Sequence, residues 1–208
     1  MKLRTVILIS TVSAIGLMSI GCASSPKSAG NEVKPIWTSR ATVPDWRYGP
    51  EKDYEYVGVS QKEATEQSAR SDAEENARKR LLDYYGGEME NTFKQEKALV
   101  GLESEIGDAQ KVRQDVTQQF ELRVISQLKI VDTYLEKYRD ENGEIYIVAA
   151  VRSKIDPSIV KQAISDFGKE KSADLAEKAK AEQNAEKKSQ LEKASEFFGS
   201  SLSSSLEK

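Results

Sequence analysis

The chain holds one thiol and no imidazole: Cys22 is the sole cysteine, and the 208 residues contain no histidine. Ser-His-Asp and Cys-His nucleophiles, His/Cys metal sites and an internal disulfide are thereby excluded. Carboxylate pairs stand at Glu74-Glu75 and Asp140-Glu141. General acid–base work needs such groups held in a cleft that drives their pKa values apart. These two pairs fall on a predicted helix exterior and in a predicted turn, where they read as surface charge. A serine nucleophile without histidine needs a lysine partner, and Ser25-Pro26-Lys27 and Ser28 lie in a polar connecting stretch. There is no G-x-x-x-x-G-K or G-x-G-x-x-G, and Asp140-Glu141-Asn142-Gly143-Glu144 is too short for a calcium loop. No catalytic, cofactor-binding or metal-ligating residue is expected, and the chain is not expected to be an enzyme.

Chemistry done to the chain is better marked than chemistry done by it. Lys2 and Arg4 precede an uncharged 17-residue run, Thr5 to Gly21, rich in Val, Ile, Leu and Met. A charged front and a short apolar stretch ending in small residues predict a signal peptide over 1–21. The run ends Ser19-Ile20-Gly21-Cys22, followed by Ala23-Ser24-Ser25-Pro26. This resembles the lipobox of bacterial lipoproteins, with Ser19 where Leu is usual. The resemblance implies cleavage before Cys22 and acylation of its thiol. One acyl chain holds a protein only weakly to a membrane, whereas two anchor it stably. Ala23 and Ser24 are not the aspartate that retains many such proteins in the inner membrane. The resemblance therefore implies a lipid anchor in the cell outer membrane, with the domain periplasmic or surface-exposed. Residues 22–35, small, polar and Pro/Gly-containing, are expected to form a flexible tether.

The whole chain carries 31 Lys and Arg against 34 Asp and Glu, a net charge of −3. Loss of Lys2 and Arg4 with the leader takes the cations to 29 and the net to −5. Without a broad basic face, nucleic-acid binding is not expected.

Beyond the tether, residues 36–60 carry both tryptophans, Trp37 and Trp46, and an aromatic, β-branched run, Tyr54 to Ser60, that predicts a strand. The tryptophans are expected to pack over one edge of the core. Alternatively Trp37, Trp46 and Tyr54 form a stacking surface for a ligand. Residues 61–85 predict the clearest helix, capped by Ser60 or Thr65. Ala69, Ala73, Ala77 and Leu81 recur every four residues, extended by Leu82 and Tyr85. Small alanines suit close approach to a sheet. Gly86-Gly87 is expected to end this helix. From 88 to 124 the pattern predicts a short helix, a loop near 100–108 and a longer helix carrying Val112, Val116, Phe120 and Val124.

Residues 126–155 predict a β-hairpin turning at Asn142-Gly143. Ile159, Val160, Ala163, Ile164 and Phe167 mark an amphipathic helix. After Gly168 the chain becomes rich in Lys, Glu, Ala, Gln and Ser. The expectation there is a solvated, fraying single helix followed by a disordered Ser-rich end from Phe197.

Together these pieces predict an α+β fold: one small domain over 36–167, with an antiparallel sheet packed by helices. A charged helical to disordered tail over 168–208 completes the chain. The order of lipobox, Pro44-Asp45-Trp46, Tyr56-Val57-Gly58-Val59-Ser60, the alanine-repeating helix over 68–81 and a hairpin with Ile130-Val131-Asp132-Thr133-Tyr134 and Tyr146-Ile147-Val148-Ala149-Ala150-Val151 resembles the Lpp-type twenty-kilodalton bacterial surface lipoprotein family. That family includes flagellar outer-membrane proteins of the FlgP type. The resemblance covers roughly 44–155. It implies a small α+β domain and partners that are the lipid bilayer, further copies of the chain, or envelope and flagellar proteins. The expected role is structural or interactive, with self-assembly through exposed strand edges. A glycan- or peptidoglycan-binding surface module is the alternative.

Overall fold

The structure, a computed structural model, describes residues 34–49, 52–100 and 108–202. Cys22, expected to be lipidated, and the residues expected to form the leader and most of the tether lie outside the described residues. The elements run β1 (Trp37–Thr38), β2 (Glu55–Val59), α1 (Glu66–Val100), α2 (Ala109–Arg123), β3 (Lys129–Arg139), β4 (Ile145–Lys154), α3 (Pro157–Ala181) and α4 (Ala185–Glu196). Single 3-10 turns cover Asp45–Arg47 and Ile125–Gln127, and a π-helical turn covers Phe197–Ser201. The four strands form one antiparallel sheet in the order β1-β3-β4-β2. The fold is α+β, as the hydrophobic periodicities predict.

The hairpin forms where Asn142-Gly143 places it. Within the turn Gly143 alone takes a positive φ, 87°, and its N–H donates to the Asp140 carbonyl at 3.1 Å. A two-residue turn needs positive φ at both central residues (type I′) or at the first (type II′), so a positive φ at Gly143 and not at Asn142 marks the longer turn closed by a left-handed glycine. The Asp140 carboxylate holds it shut, accepting from the N–H groups of Asn142 and Glu144 at 2.9 and 2.8 Å. Asp140 thus has a local structural task, and Glu141 is exposed beside it.

Thr65, rather than Ser60, caps α1: its hydroxyl accepts the Ser68 N–H at 3.1 Å. Ser60 instead extends the β2 pairing, its hydroxyl accepting the Ala149 N–H at 2.9 Å. The buried stripe of α1 runs Ala69, Ala73, Ala77, Leu81, Tyr85, Met89, Phe93, one residue in four throughout. A four-residue step overshoots the 3.6-residue turn, so the stripe walks round the helix by about 40° per step. The helix accordingly faces two partners. Ala69 and Ala73 pack on Leu135, Ile147, Ala149 and Val151 of the sheet. Tyr85, Met89 and Phe93 lie in a second, larger cluster with Val116 and Phe120 of α2. The side chains grow as the helix leaves the sheet. Where it lies closest, a Cβ on Gly58 of β2 would fall 1.9 Å from the Ala73 carbonyl oxygen and 2.4 Å from the Ala77 nitrogen.

Gly86-Gly87 does not end α1, contrary to the sequence expectation; the helix continues to Val100. Gly86 marks a helix crossing instead, since a Cβ there would meet Thr117 Oγ1 at 2.9 Å and Arg113 Cγ at 3.2 Å on α2. Glycine permits termination, but here packing against α2 decides the matter. The second helix expected over 109–124 is α2, capped by Asp108, whose carboxylate accepts the Gln110 N–H at 2.9 Å.

The segment after Gly168 also departs from expectation. It is helical and charged, but it is not a fraying single helix, and 167 is not the end of the packed unit. α3 runs unbroken through Gly168 to Ala181, and α4 folds back along it. The Ser195 hydroxyl donates to the Ser172 carbonyl at 2.9 Å across this helical pair. Leu175, Ala179, Leu191 and Ala194, each too sparse to form heptads, all enter the larger core. Phe197 and Phe198 are buried, with Phe93 5.4 Å from Phe198 between ring centres and Phe167 6.0 Å from it. The Ser-rich composition hid these anchors; residues 203–208 lie outside the description.

Candidate functional site

α1 covers one face of the sheet. On the other, alternate residues of β3 present Asp132, Tyr134, Glu136 and Tyr138, paired across to Arg152, Ala150, Val148 and Tyr146 of β4. A strand on an open sheet would expose this row. Here the stretch after β1, residues 39–49, crosses it. The 3-10 turn of that stretch buries no residue completely, so side-chain polar contacts must fasten it.

Two carboxylates do so. Glu136 is ion-paired with Arg47, their side chains 3% and 7% exposed. The Tyr138 hydroxyl donates to the same carboxylate at 2.5 Å. The Arg47 guanidinium lies 5.2 Å from the Tyr134 ring centre and 5.0 Å from that of Tyr48. Asp132, further along β3, accepts both Arg40 terminal nitrogens, the Trp46 indole N–H at 3.0 Å and the Thr133 N–H at 2.8 Å. Arg152 stands 3.9 Å from Asp132 and 3.6 Å from Glu55, which also faces Lys154 at 3.8 Å.

The electrostatics follow. Burial opposes ionisation of Glu136, but the hydrogen bonds and charge of Arg47 and the Tyr138 hydroxyl outweigh it and hold the carboxyl below its ordinary value. Asp132 is held low in the same way: burial opposes, and Arg40, the Thr133 N–H and Trp46 prevail. Burial and the Glu136 charge push the Tyr138 phenol well up. Arg47 is raised by Glu136 despite its burial. A general acid or base needs a pKa drawn toward the working pH. These carboxylates are drawn the other way and spend their lone pairs on fixed donors. The arrangement is suited to holding two chain segments together.

The tryptophans and Tyr54 do not make one stacking surface. Trp37 lies on the α1 side of the sheet, under the Lys137 ammonium at 4.7 Å, and that ammonium also pairs with Glu66 of α1 at 3.0 Å. Trp46 lies on the opposite face, hydrogen-bonded to Asp132. Tyr54 precedes β2 at the far edge, at a positive φ of 61°, and packs against the larger core. Of the acidic pairs, Glu74 faces Arg78 at 3.9 Å on α1, and Glu75 is exposed. Among the described residues no group of acidic side chains is placed to hold a metal ion, and no helix is long and apolar enough to cross a membrane.

Arg40, Arg47, Asp132 and Glu136 are the residues the sequence does not single out. The alternation Asp132-Tyr134-Glu136-Tyr138 is a visible sign of a polar sheet face. Its cations come from far upstream, 92 residues away for Arg40 and Asp132, and nothing in the spacing links them.

The strand edges expected to drive self-assembly are blunted. On the outer side of β3, Ser39 occupies both backbone groups of Leu135, the Asp132 carboxylate occupies the Thr133 N–H, and a bulge shifts the register between Ile130 and Asp132. On the outer side of β2, the Asn76 side chain donates to the Val59 carbonyl at 3.0 Å, and the Glu55 N–H is taken by Lys52. Bulges and side-chain capping of this kind protect edges from pairing. Comparison with known proteins finds no family model, no curated protein and no solved structure that matches the chain.

Proposed function

We propose that this chain is a lipid-anchored protein of the bacterial outer membrane with a non-catalytic, structural or interaction role in the envelope. The anchor is read from Thr5–Cys22 and rests on the lipobox resemblance. The observation that carries the role is the Arg47–Glu136 ion pair. It lies in the first stretch of described chain after the tether and ties that stretch to the central strand β3. A load on the anchor is then passed to the sheet instead of peeling residues 36–49 away. The Arg47 and Glu136 charges, each shifted toward its ionised form by the other, are spent on this fastening. Assembly with other copies or with envelope partners runs through side-chain surfaces, because the outer backbone groups of β3 beyond β1 and of β2 are partly occupied.

The anchor is tested by mass measurement of the native protein. A chain beginning at acylated Cys22, and release of a Cys22→Ala variant from the membrane fraction, are the expected results. An unmodified thiol or a retained leader would remove the proposal. Cross-linking on intact cells tests the role: a trapped partner or second copy is expected, and a product of monomer size alone counts against it.

The glycan-binding alternative keeps one favourable observation in a different place. Tyr138 and Tyr146 stack at 5.2 Å, and Lys62 lies 4.7 Å over Tyr146. Peptidoglycan pull-down that survives Tyr146→Ala would remove that reading.

A further inference from the structure

The geometry points to the β1–β3 edge of the sheet as the surface that lies on the lipid bilayer. This rests on the anchoring proposed above and adds which side of the domain meets the membrane. Ile36, just before β1, and Trp37 on it are 55% and 43% exposed, and Ile130 and Val131 on β3 are 43% and 47% exposed. All four lie along one edge of the four-stranded sheet. Val131 is the extra, unpaired residue of the bulge. Exposed cations punctuate the same edge: Lys34 ahead of Ile36, Lys129 at the start of β3 and Arg139 at its end. Aliphatic side chains and a tryptophan interleaved with lysine and arginine are what the headgroup region accepts. The two acidic side chains of β3 itself are engaged, Asp132 by Arg40 and Trp46, and Glu136 by Arg47.

The tether selects lipid over a protein partner. Cys22 precedes Lys34 by twelve residues. Such a segment spans at most about 42 Å fully extended and about 19 Å as a flexible coil. The edge that carries Ile36 and Trp37 is therefore the part of the domain kept nearest the bilayer, at high effective concentration. A strand-adding protein would need the backbone groups that Ser39, Asp132 and the bulge occupy. A bilayer needs only the side chains.

The test uses the full mature, acylated protein in vesicles of phosphatidylethanolamine and phosphatidylglycerol with brominated acyl chains. In Trp46→Phe, Trp37 is the reporting indole. In a second variant, Trp37→Phe with Trp46→Phe and Tyr84→Trp, the reporter stands beside Tyr56 at the opposite edge, where Tyr84 lies 6.5 Å from that ring. Trp37 emission is expected to fall roughly twofold relative to unbrominated lipid, as for an indole at the interface, with the reporter at 84 unchanged. Equal emission loss, or none, at both positions, with acylation confirmed by mass on the same sample, would overturn the docking and leave the anchor standing. A sample found unacylated would remove the anchoring reading and the edge argument that depends on it.

Discussion

At the scale of the residue, the decisive group is Glu136. Its carboxylate is buried, paired with Arg47 and hydrogen-bonded by Tyr138. Removing one member of a buried pair strands the other charge, at a cost of about 3–5 kcal/mol. Glu136→Gln is therefore expected to lower stability by that order, read from urea unfolding at neutral pH. The pH dependence has a defined sign. The folded-state pKa lies below the ordinary 4.5, so the contribution is complete above that value and is lost as pH falls from it through the folded pKa. Asp132, held below 3.8, adds to the same acid limb. In Glu136→Gln the stability curve should be flatter across this window. An unchanged slope would show that the pair does not couple folding to protonation.

At the scale of the element, glycines separate contact from conformation. Gly58 sits where α1 presses on β2, and an added Cβ would overlap the backbone of Ala73. Backbone cannot yield as a flexible side chain does. Gly58→Ala is expected to cost at least about 3 kcal/mol, within the range of severe overpacking. Gly87 lies inside α1 with nothing within 4 Å of its would-be Cβ. Gly87→Ala is expected to stabilise by about 0.5–1 kcal/mol through helix propensity alone. Urea midpoints of the two variants should move in opposite directions. The double glycine looks like a stop in sequence because glycine is costly in a helix. The neighbouring Gly86 tolerates that cost because α2 crosses there, and α2 is a tertiary partner that local spacing does not reveal.

At the scale of the whole molecule, the described chain from Lys34 onward forms one compact unit. Its larger core draws on α1, α2, α3, α4 and the aromatic turn that follows. Truncation after Phe167, the end that composition suggests, would remove Leu175, Leu191, Phe197, Phe198 and Leu202 from that core. Each large core side chain deleted costs on the order of 2–5 kcal/mol, and whole domains are stable by only about 5–15 kcal/mol. The truncated chain is expected to lose its cooperative thermal transition and its near-ultraviolet circular dichroism. A sharp transition retained in that variant would show that the C-terminal helical pair is an appendage after all.

The sequence by itself determined what depends on near neighbours along the chain. These are the strand at Tyr54–Ser60, the hairpin at Asn142-Gly143 and the alanine stripe that seats α1 on the sheet. Tertiary structure alone decided what depends on residues far apart in sequence. It carried α1 through two glycines, folded a polar tail back so that its Phe197 and Phe198 meet Phe93 and Phe167, and brought Arg40 and Arg47 down onto Asp132 and Glu136. The physical reason is the same in each case. Local preferences amount to fractions of a kcal/mol per residue. Deleting a buried ring, or stranding one member of a buried ion pair, costs several kcal/mol, and such contacts overrule local preferences only once distant segments have met.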